Sequence, residues 1–248
     1  MLILGLQKTT LLDYPGHIAS TIFTGGCNFR CPYCHNADLV LTPGAINAYD
    51  NEVIFSHLKK RVGIIDGVCI TGGEPTLYKE LPDFIDAIKS IKKHNSDESL
   101  LVKLDTNGTN PNMLEYLINN KKIDYVAMDI KSSIENYSVV AGILADNEIE
   151  KSKYKGLIDN VVKSIEILKL SNIEYEFRTT IIKEYHDEKT IHGIGELIRG
   201  ADKYYIQSFI DSEYVPNHSL SACDKETLTK YLDIMSKYVK LAELRGVD

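Results

Sequence analysis

Two periodicities share this chain. Short apolar, β-branched runs recur along it, and most lead through a polar or glycine-rich loop into a stretch with helical spacing. Strands are expected at IASTIFT from Ile18, GVCIT from Gly67, LLVKLD from Leu100, YVAMDI from Tyr125, YEFRTTI from Tyr175 and YYIQSF from Tyr204. Helical spacing runs over 51–61, 78–93, 111–119, 156–170, 189–199 and 225–244. Pro111 suits the first turn of its helix, and Asp224 with Thr227 can cap the last. Strands alternating with helices imply a parallel sheet joined by right-handed crossovers. Six such units make a partial (β/α)6 barrel of parallel strands or an open doubly wound sheet. No linker, charge block or short-period repeat divides the 248 residues. Residues 1–248 are therefore expected to form one domain, at a length α/β barrels commonly reach.

Composition narrows the setting. Hydrophobic residues make up 44% and charged residues 25% of the chain, the balance of a globular protein in water. Its apolar stretches fall short of a membrane span, and the start MLILGLQKTTLLDY has neither the basic lead nor the apolar core of a signal peptide. A cytoplasmic protein that engages no membrane is expected. The net charge of −7 argues against a nonspecific grip on nucleic acid.

In a parallel α/β fold, function gathers at the carboxyl ends of the strands. The strand from Ile18 runs out into GGCNFRCPYCHN, and the next three end in TGGEP, DTNG and MDIK. The last two carry Arg178, an ionised residue inside an apolar run, and Gln207. Such a fold would bring these distant segments to one rim.

Of five cysteines, Cys27, Cys31 and Cys34 crowd into eight residues, while Cys69 and Cys223 stand alone. An odd count in such a chain does not suit a disulfide framework. Cys69 reads as a small buried hydrophobe, and Cys223 has no evident partner. The Cys-x3-Cys-x2-Cys loop can aim three thiolates at a 4Fe–4S cluster and leave the fourth iron open to a substrate. A zinc site completed by His35 competes with this reading, but His35 directly follows Cys34, a poor spacing for two ligands of one ion. An electron-transfer ferredoxin would need a fourth cysteine. His57, His94, His186, His192 and His218 show no compelling ligand spacing.

CNFRCPYCHN resembles the Cx3CxΦC signature of the radical S-adenosylmethionine (SAM) superfamily, with Tyr33 as the aromatic residue. That resemblance implies one 4Fe–4S cluster on Cys27, Cys31 and Cys34 whose open iron chelates SAM and cleaves it to a 5′-deoxyadenosyl radical. Gly72-Gly73-Glu74 is similar to the superfamily's GGE motif, whose glycines let backbone carbonyls approach the methionine ammonium. The implied SAM contacts are Tyr33, Gly72, Gly73, Glu74, Asn107, Lys131 and Arg178. Similarity to the pyruvate formate-lyase activase matches Asp105, Thr106, Met128 and Asp129 to the ligands of a Na⁺ or K⁺ ion, and Lys131 to a lysine near the SAM carboxylate.

His35-Asn36 is similar to the pattern in glycyl-radical-enzyme activases. GLQKTTLLDYPG leading into FTGGCNFRCPYCHN resembles the anaerobic ribonucleoside-triphosphate reductase activating proteins in particular. The eight further cysteines that a ferredoxin-like insertion would carry between Cys34 and Gly72 are absent, Cys69 alone lying there, so no such insertion is expected. In Leu11-Leu12-Asp13-Tyr14-Pro15-Gly16, Pro-Gly is turn chemistry. The activases have an aspartate in a D-G-P-G segment that touches the partner's glycine loop. Asp13 would take that role beside the barrel mouth, although Tyr14 replaces the first glycine. The implied partner is a glycyl-radical enzyme, anaerobic ribonucleotide reductase first, with flavodoxin or ferredoxin as electron donor. The long connection 132–155 is expected to help dock it. The alternative is a radical SAM enzyme acting on a different glycyl-radical enzyme, a peptide or a small molecule.

Overall fold

A computed structural model of the protein describes residues 1–92, 97–143 and 147–246, with Glu148 as backbone alone. The chain divides into two compact units. The first comprises residues 1–28, 38–106 and 112–126, and the second residues 29–37, 107–111 and 127–248.

Four strands build the first unit: β1 (Ile3–Thr10), β2 (Ala19–Thr24), β3 (Gly67–Gly72) and β4 (Leu101–Thr106). The β2 and β3 strands pair in parallel from Ala19↔Gly67 to Thr24↔Gly72, and β3 pairs with β4 from Gly67↔Leu101 to Ile70↔Leu104. Val68, Ile70, Val102 and Leu104 are fully buried, as a parallel sheet covered on both faces requires. The short α1 (Ala37–Leu41) precedes α2 (Asn51–Arg61), which carries Glu52 in its first turn and Lys59, Lys60 and Arg61 in its last, in accord with its dipole. The next helix, α3 (Leu81–Lys89), buries Leu81, Phe84, Ile85 and Ile88, one stripe at helical spacing. Next come α4 (Pro111–Asn119) and β5 (Tyr125–Asp129), whose first two residues belong to this unit and whose last three belong to the second.

In the second unit β6 (Glu174–Ile181), β7 (Lys203–Ser208) and β8 (Leu241–Arg245) pair in parallel, through Phe177↔Tyr204 and Lys203↔Leu241. Its helices are α5 (Tyr137–Val140), α6 (Glu148–Leu170), α7 (Glu188–Leu197) and α8 (Lys225–Met235). The Asp224 carboxylate accepts from the Thr227 amide at 2.7 Å, the expected cap.

The six expected strands are present within a residue or two, and the fold is α/β with a parallel-strand sheet. Two strands were not expected. The first, β1, runs antiparallel to β2. The second, β8, occupies a stretch expected to continue the last helix; α8 instead stops at Met235. LAELR has strong helix formers, and its pairing with β7 overrides that preference. The helix expected at 156–170 begins eight residues earlier, capped by the Asn147 side chain, and runs through Gly156 despite that residue's poor helix propensity. Much of the 132–155 connection is therefore helical. The helix expected over 78–93 is shortened to α3 at both ends, Tyr78 closing a 3-10 turn and Ser90 capping after Lys89; Lys93 and His94 lie outside the described residues. No helix among the described residues is long and apolar enough to cross a membrane.

Candidate functional site

The cysteine loop starts in the first unit, at the carboxyl end of β2. Its opening glycines are fixed by backbone bonds: Gly25 N–H to the Leu2 carbonyl at 3.0 Å, and Gly26 N–H to that of Leu39 at 2.8 Å. The Glu74 amide donates to the Gly26 carbonyl at 2.8 Å, and the Gly73 amide to that of Thr24 at 2.8 Å. A Cβ on Gly73 would overlap the Gly26 carbonyl, and one on Gly72, whose φ is +110°, would overlap the Thr24 backbone. Both glycines are thus required where the turn after β3 docks on the start of the cysteine loop. Glu74 is fully buried. Its Oε1 accepts from the Thr76 amide at 3.0 Å, the Thr76 hydroxyl at 2.5 Å and the Thr106 hydroxyl at 2.8 Å. This fixes the carboxylate between two strand ends.

Cys31 and Cys34 belong to the second unit. A turn from the Cys34 amide to the Cys31 carbonyl, 3.2 Å, joins them. The Arg30 amide donates to the Ala141 carbonyl at 3.0 Å, and the Asn217 amide to that of Pro32 at 3.0 Å. Gly142, at φ +65°, lies against the Arg30 carbonyl, where a Cβ would overlap it. The Tyr33 ring is buried with Val140, Ile182, Phe209, Val215 and Leu220, and Cys31 packs on that cluster. Burial pushes the Cys31 thiol up to about 11 and raises Cys34 as well. Both thiols therefore rest protonated, and loading a metal must release those protons.

Asp129, at the end of β5, is the second unit's charged centre. Arg178 Nε donates to its Oδ1 at 2.9 Å and Lys131 Nζ to its Oδ2 at 3.1 Å. Burial alone would raise this carboxyl, but the two cations overcome it and hold it at about 2. Burial works against the Lys131 ammonium, yet Asp129 together with Tyr33, Cys31 and Tyr137 outweighs it and keeps the lysine charged. His186 is neutral, its pKa lowered by burial, and its Nε2 lies 3.0 Å from the Lys131 carbonyl. The Asn107 Oδ1 accepts from the Thr109 amide at 3.0 Å and hydroxyl at 2.7 Å, forming a side-chain turn. Gly108, at φ +76°, packs against the Met128 side chain.

Asp13 is not at the rim. The 11–18 loop joins Thr10 to Ala19, at the amino end of β2 and the opposite end from Cys27. Its carboxylate nevertheless accepts from the Thr21 hydroxyl at 2.5 Å, on the strand face shared with Cys69 and Lys103. Lys103 is the residue sequence reasoning missed. It is 1% exposed and paired with Asp105. The signal was available, since a lysine inside the apolar LLVKLD is as anomalous as Arg178 in its own strand.

The family model described as the radical SAM superfamily matches residues 21–192, from β2 into α7. The chain belongs to the radical SAM superfamily. A protein of Methanocaldococcus jannaschii, provisionally named a glycyl-radical enzyme activating enzyme, is 36% identical over 208 residues, covering 84% of this chain and 80% of that one. This places the chain with the glycyl-radical-enzyme activating group of radical SAM enzymes. A pyruvate formate-lyase-activating enzyme of Clostridium pasteurianum is 26% identical over 98% of this chain and 90% of its own length. Among solved structures, a radical SAM methyltransferase from Sphaerobacter thermophilus aligns with TM-score 0.66 at 14% identity, over 96% of this chain and 68% of that one, and so shares the fold.

The donor set fits the superfamily's cluster. Cys27, Cys31 and Cys34 are free, partly exposed thiols, and three thiolates are the donors that a 4Fe–4S cluster with one open iron takes. The donors matched to a monovalent cation do not fit one. In this radical SAM enzyme both carboxylates of that set are already engaged by side-chain cations, Asp105 by Lys103 and Asp129 by Arg178 and Lys131.

Proposed function

We propose that this enzyme activates anaerobic ribonucleoside-triphosphate reductase by taking a Cα hydrogen from one glycine of that partner. Cys27, Cys31 and Cys34 would hold the cluster, and flavodoxin or ferredoxin would reduce it. When bound, the cluster and SAM together supply methionine and a 5′-deoxyadenosyl radical. The chain's own residues position and shield. The backbone of Gly72 and Gly73 offers carbonyls to the methionine ammonium, and buried Glu74 holds that turn rigid through Thr76 and Thr106. Lys131 and Arg178 present positive charge for the methionine carboxylate, oriented by Asp129. Tyr33 roots the loop between Cys31 and Cys34 in apolar packing, while Asn107 shapes the turn after β4. Asp13 would meet the glycine loop from the amino end of β2.

The observation that carries this reading is the docking of the GGE turn on the first residues of the cysteine loop, backbone against backbone. It joins the two motifs of radical SAM chemistry in one rigid piece. The relatives' names support the glycyl-radical activity, and the likeness of GLQKTTLLDYPG to the reductase activators supports the choice of partner. The test is to mix reduced enzyme, SAM and candidate partners under anaerobic conditions and record EPR spectra. A glycyl-radical doublet on the reductase is expected. A doublet on another partner alone, or consumption of a small molecule with no doublet, would reject the partner named here.

A further inference from the structure

Lys103 is an ammonium buried inside β4, and no step proposed above uses it. An ammonium enters a strand interior only when paired and hydrogen-bonded. Its Nζ is paired with Asp105, two residues along the same strand face, and lies 3.8 Å from the Cys69 sulfur on β3. The Cys69 sulfur is itself 3.7 Å from the same Asp105 oxygen, so the three groups form one closed cluster. Thr106, next in the chain, spends its hydroxyl hydrogen on Glu74. A metal cation at Asp105 would share one carboxylate with a full positive charge a few ångströms away. At that separation repulsion weakens such an ion on the order of a thousandfold.

We infer that Lys103 is a resident cation in this enzyme. It supplies at Asp105 the charge that a Na⁺ or K⁺ ion would otherwise bring, and SAM binding here needs no added monovalent metal. Lys103 is a positioning residue: its Nζ is paired with Asp105 and it acts through that carboxylate. The inference rests on the SAM-binding role proposed above and concerns only how that site is charged.

The test uses the reconstituted protein in buffer free of Na⁺ and K⁺, with Tl⁺ as the probe, read by thallium NMR, and with SAM affinity read by titrating the cluster's EPR spectrum. The wild type should show no saturable Tl⁺ site, and its SAM affinity should not change when K⁺ is added. Lys103→Met should open a Tl⁺ site and bind SAM at least tenfold more weakly, with K⁺ restoring the affinity. Lys103→Arg, which keeps the charge, should remain insensitive to K⁺. A saturable wild-type Tl⁺ site that tightens SAM binding would overturn the inference, and that result needs no variant to fold. A Lys103→Met protein that retains its cluster yet gains neither Tl⁺ binding nor K⁺ dependence would overturn it too. Failure of every protein to bind SAM with or without K⁺ would instead reject the proposed function.

Discussion

The Gly26 carbonyl occupies the space that a Cβ on Gly73 would need, and it accepts the Glu74 amide at 2.8 Å. One contact thus couples the turn proposed to offer backbone to SAM with the loop that carries Cys27. Gly73→Ala should cost about 1–3 kcal/mol through overpacking, and it should displace the loop. The expected result is a lower melting temperature together with less iron per chain after reconstitution. Gly44, with nothing near its missing Cβ, serves as the control, and Gly44→Ala should leave iron content unchanged.

The cysteines sort by environment. Cys27→Ala, Cys31→Ala and Cys34→Ala should each lose the cluster, while Cys69→Ala and Cys223→Ala should bind about four irons per chain like the wild type. Iron analysis and the cluster's visible absorbance decide this. Loss of the cluster in either lone-cysteine variant would mean a fourth protein ligand, leaving no open iron for SAM.

Much of this was legible in the sequence. The six expected strands stand out because each is a short apolar run with buried β-branched, aromatic or aliphatic residues. The motifs at their ends need no long-range knowledge to be read. What was not legible depends on partners distant in sequence. The LAELR strand has helix-forming residues and becomes β8 only against β7. The amino-terminal run becomes β1 only through antiparallel pairing with β2. The floor position of Asp13 follows from that hairpin, and the sequence-based expectation set the residue beside the mouth instead. Lys103, two positions before Asp105, engages that carboxylate, a pairing the motif alone did not reveal.

Asp129 gives the protein an acid-sensitive element. Its folded pKa of about 2 lies below the ordinary 3.8, so its contribution is complete above about pH 4 and is lost as pH falls toward 2. Because the side chain is a third exposed, that contribution is about 1–2 kcal/mol. Arg178→Met removes one of the cations that lower the pKa, so the variant starts less stable near neutral pH and loses less on acidification. Urea midpoints of wild type and Arg178→Met should therefore converge as pH falls from 5 to 3. Parallel acid limbs would show that Arg178 does not hold this carboxylate.

Asp13→Ala should separate the proposed partner handling from SAM chemistry. Asp13→Ala should slow glycyl-radical formation by roughly tenfold, the weight of one hydrogen bond to a partner backbone. Cleavage of SAM without partner should proceed as in the wild type, since the residue lies at the far end of β2 from Cys27. Equal losses in both assays would assign Asp13 to the fold of the β1–β2 hairpin, through Thr21, and not to the partner.

The central claim is the transfer of one hydrogen atom from a partner glycine to the 5′-deoxyadenosyl group. Its direct measurement is mass analysis of 5′-deoxyadenosine after reaction of the reduced enzyme and SAM with anaerobic ribonucleotide reductase carrying α-deuterated glycine. The account predicts deuterium in the 5′-deoxyadenosine in step with growth of the glycyl-radical signal. Unlabelled 5′-deoxyadenosine, with the deuterium still in the reductase, would contradict it.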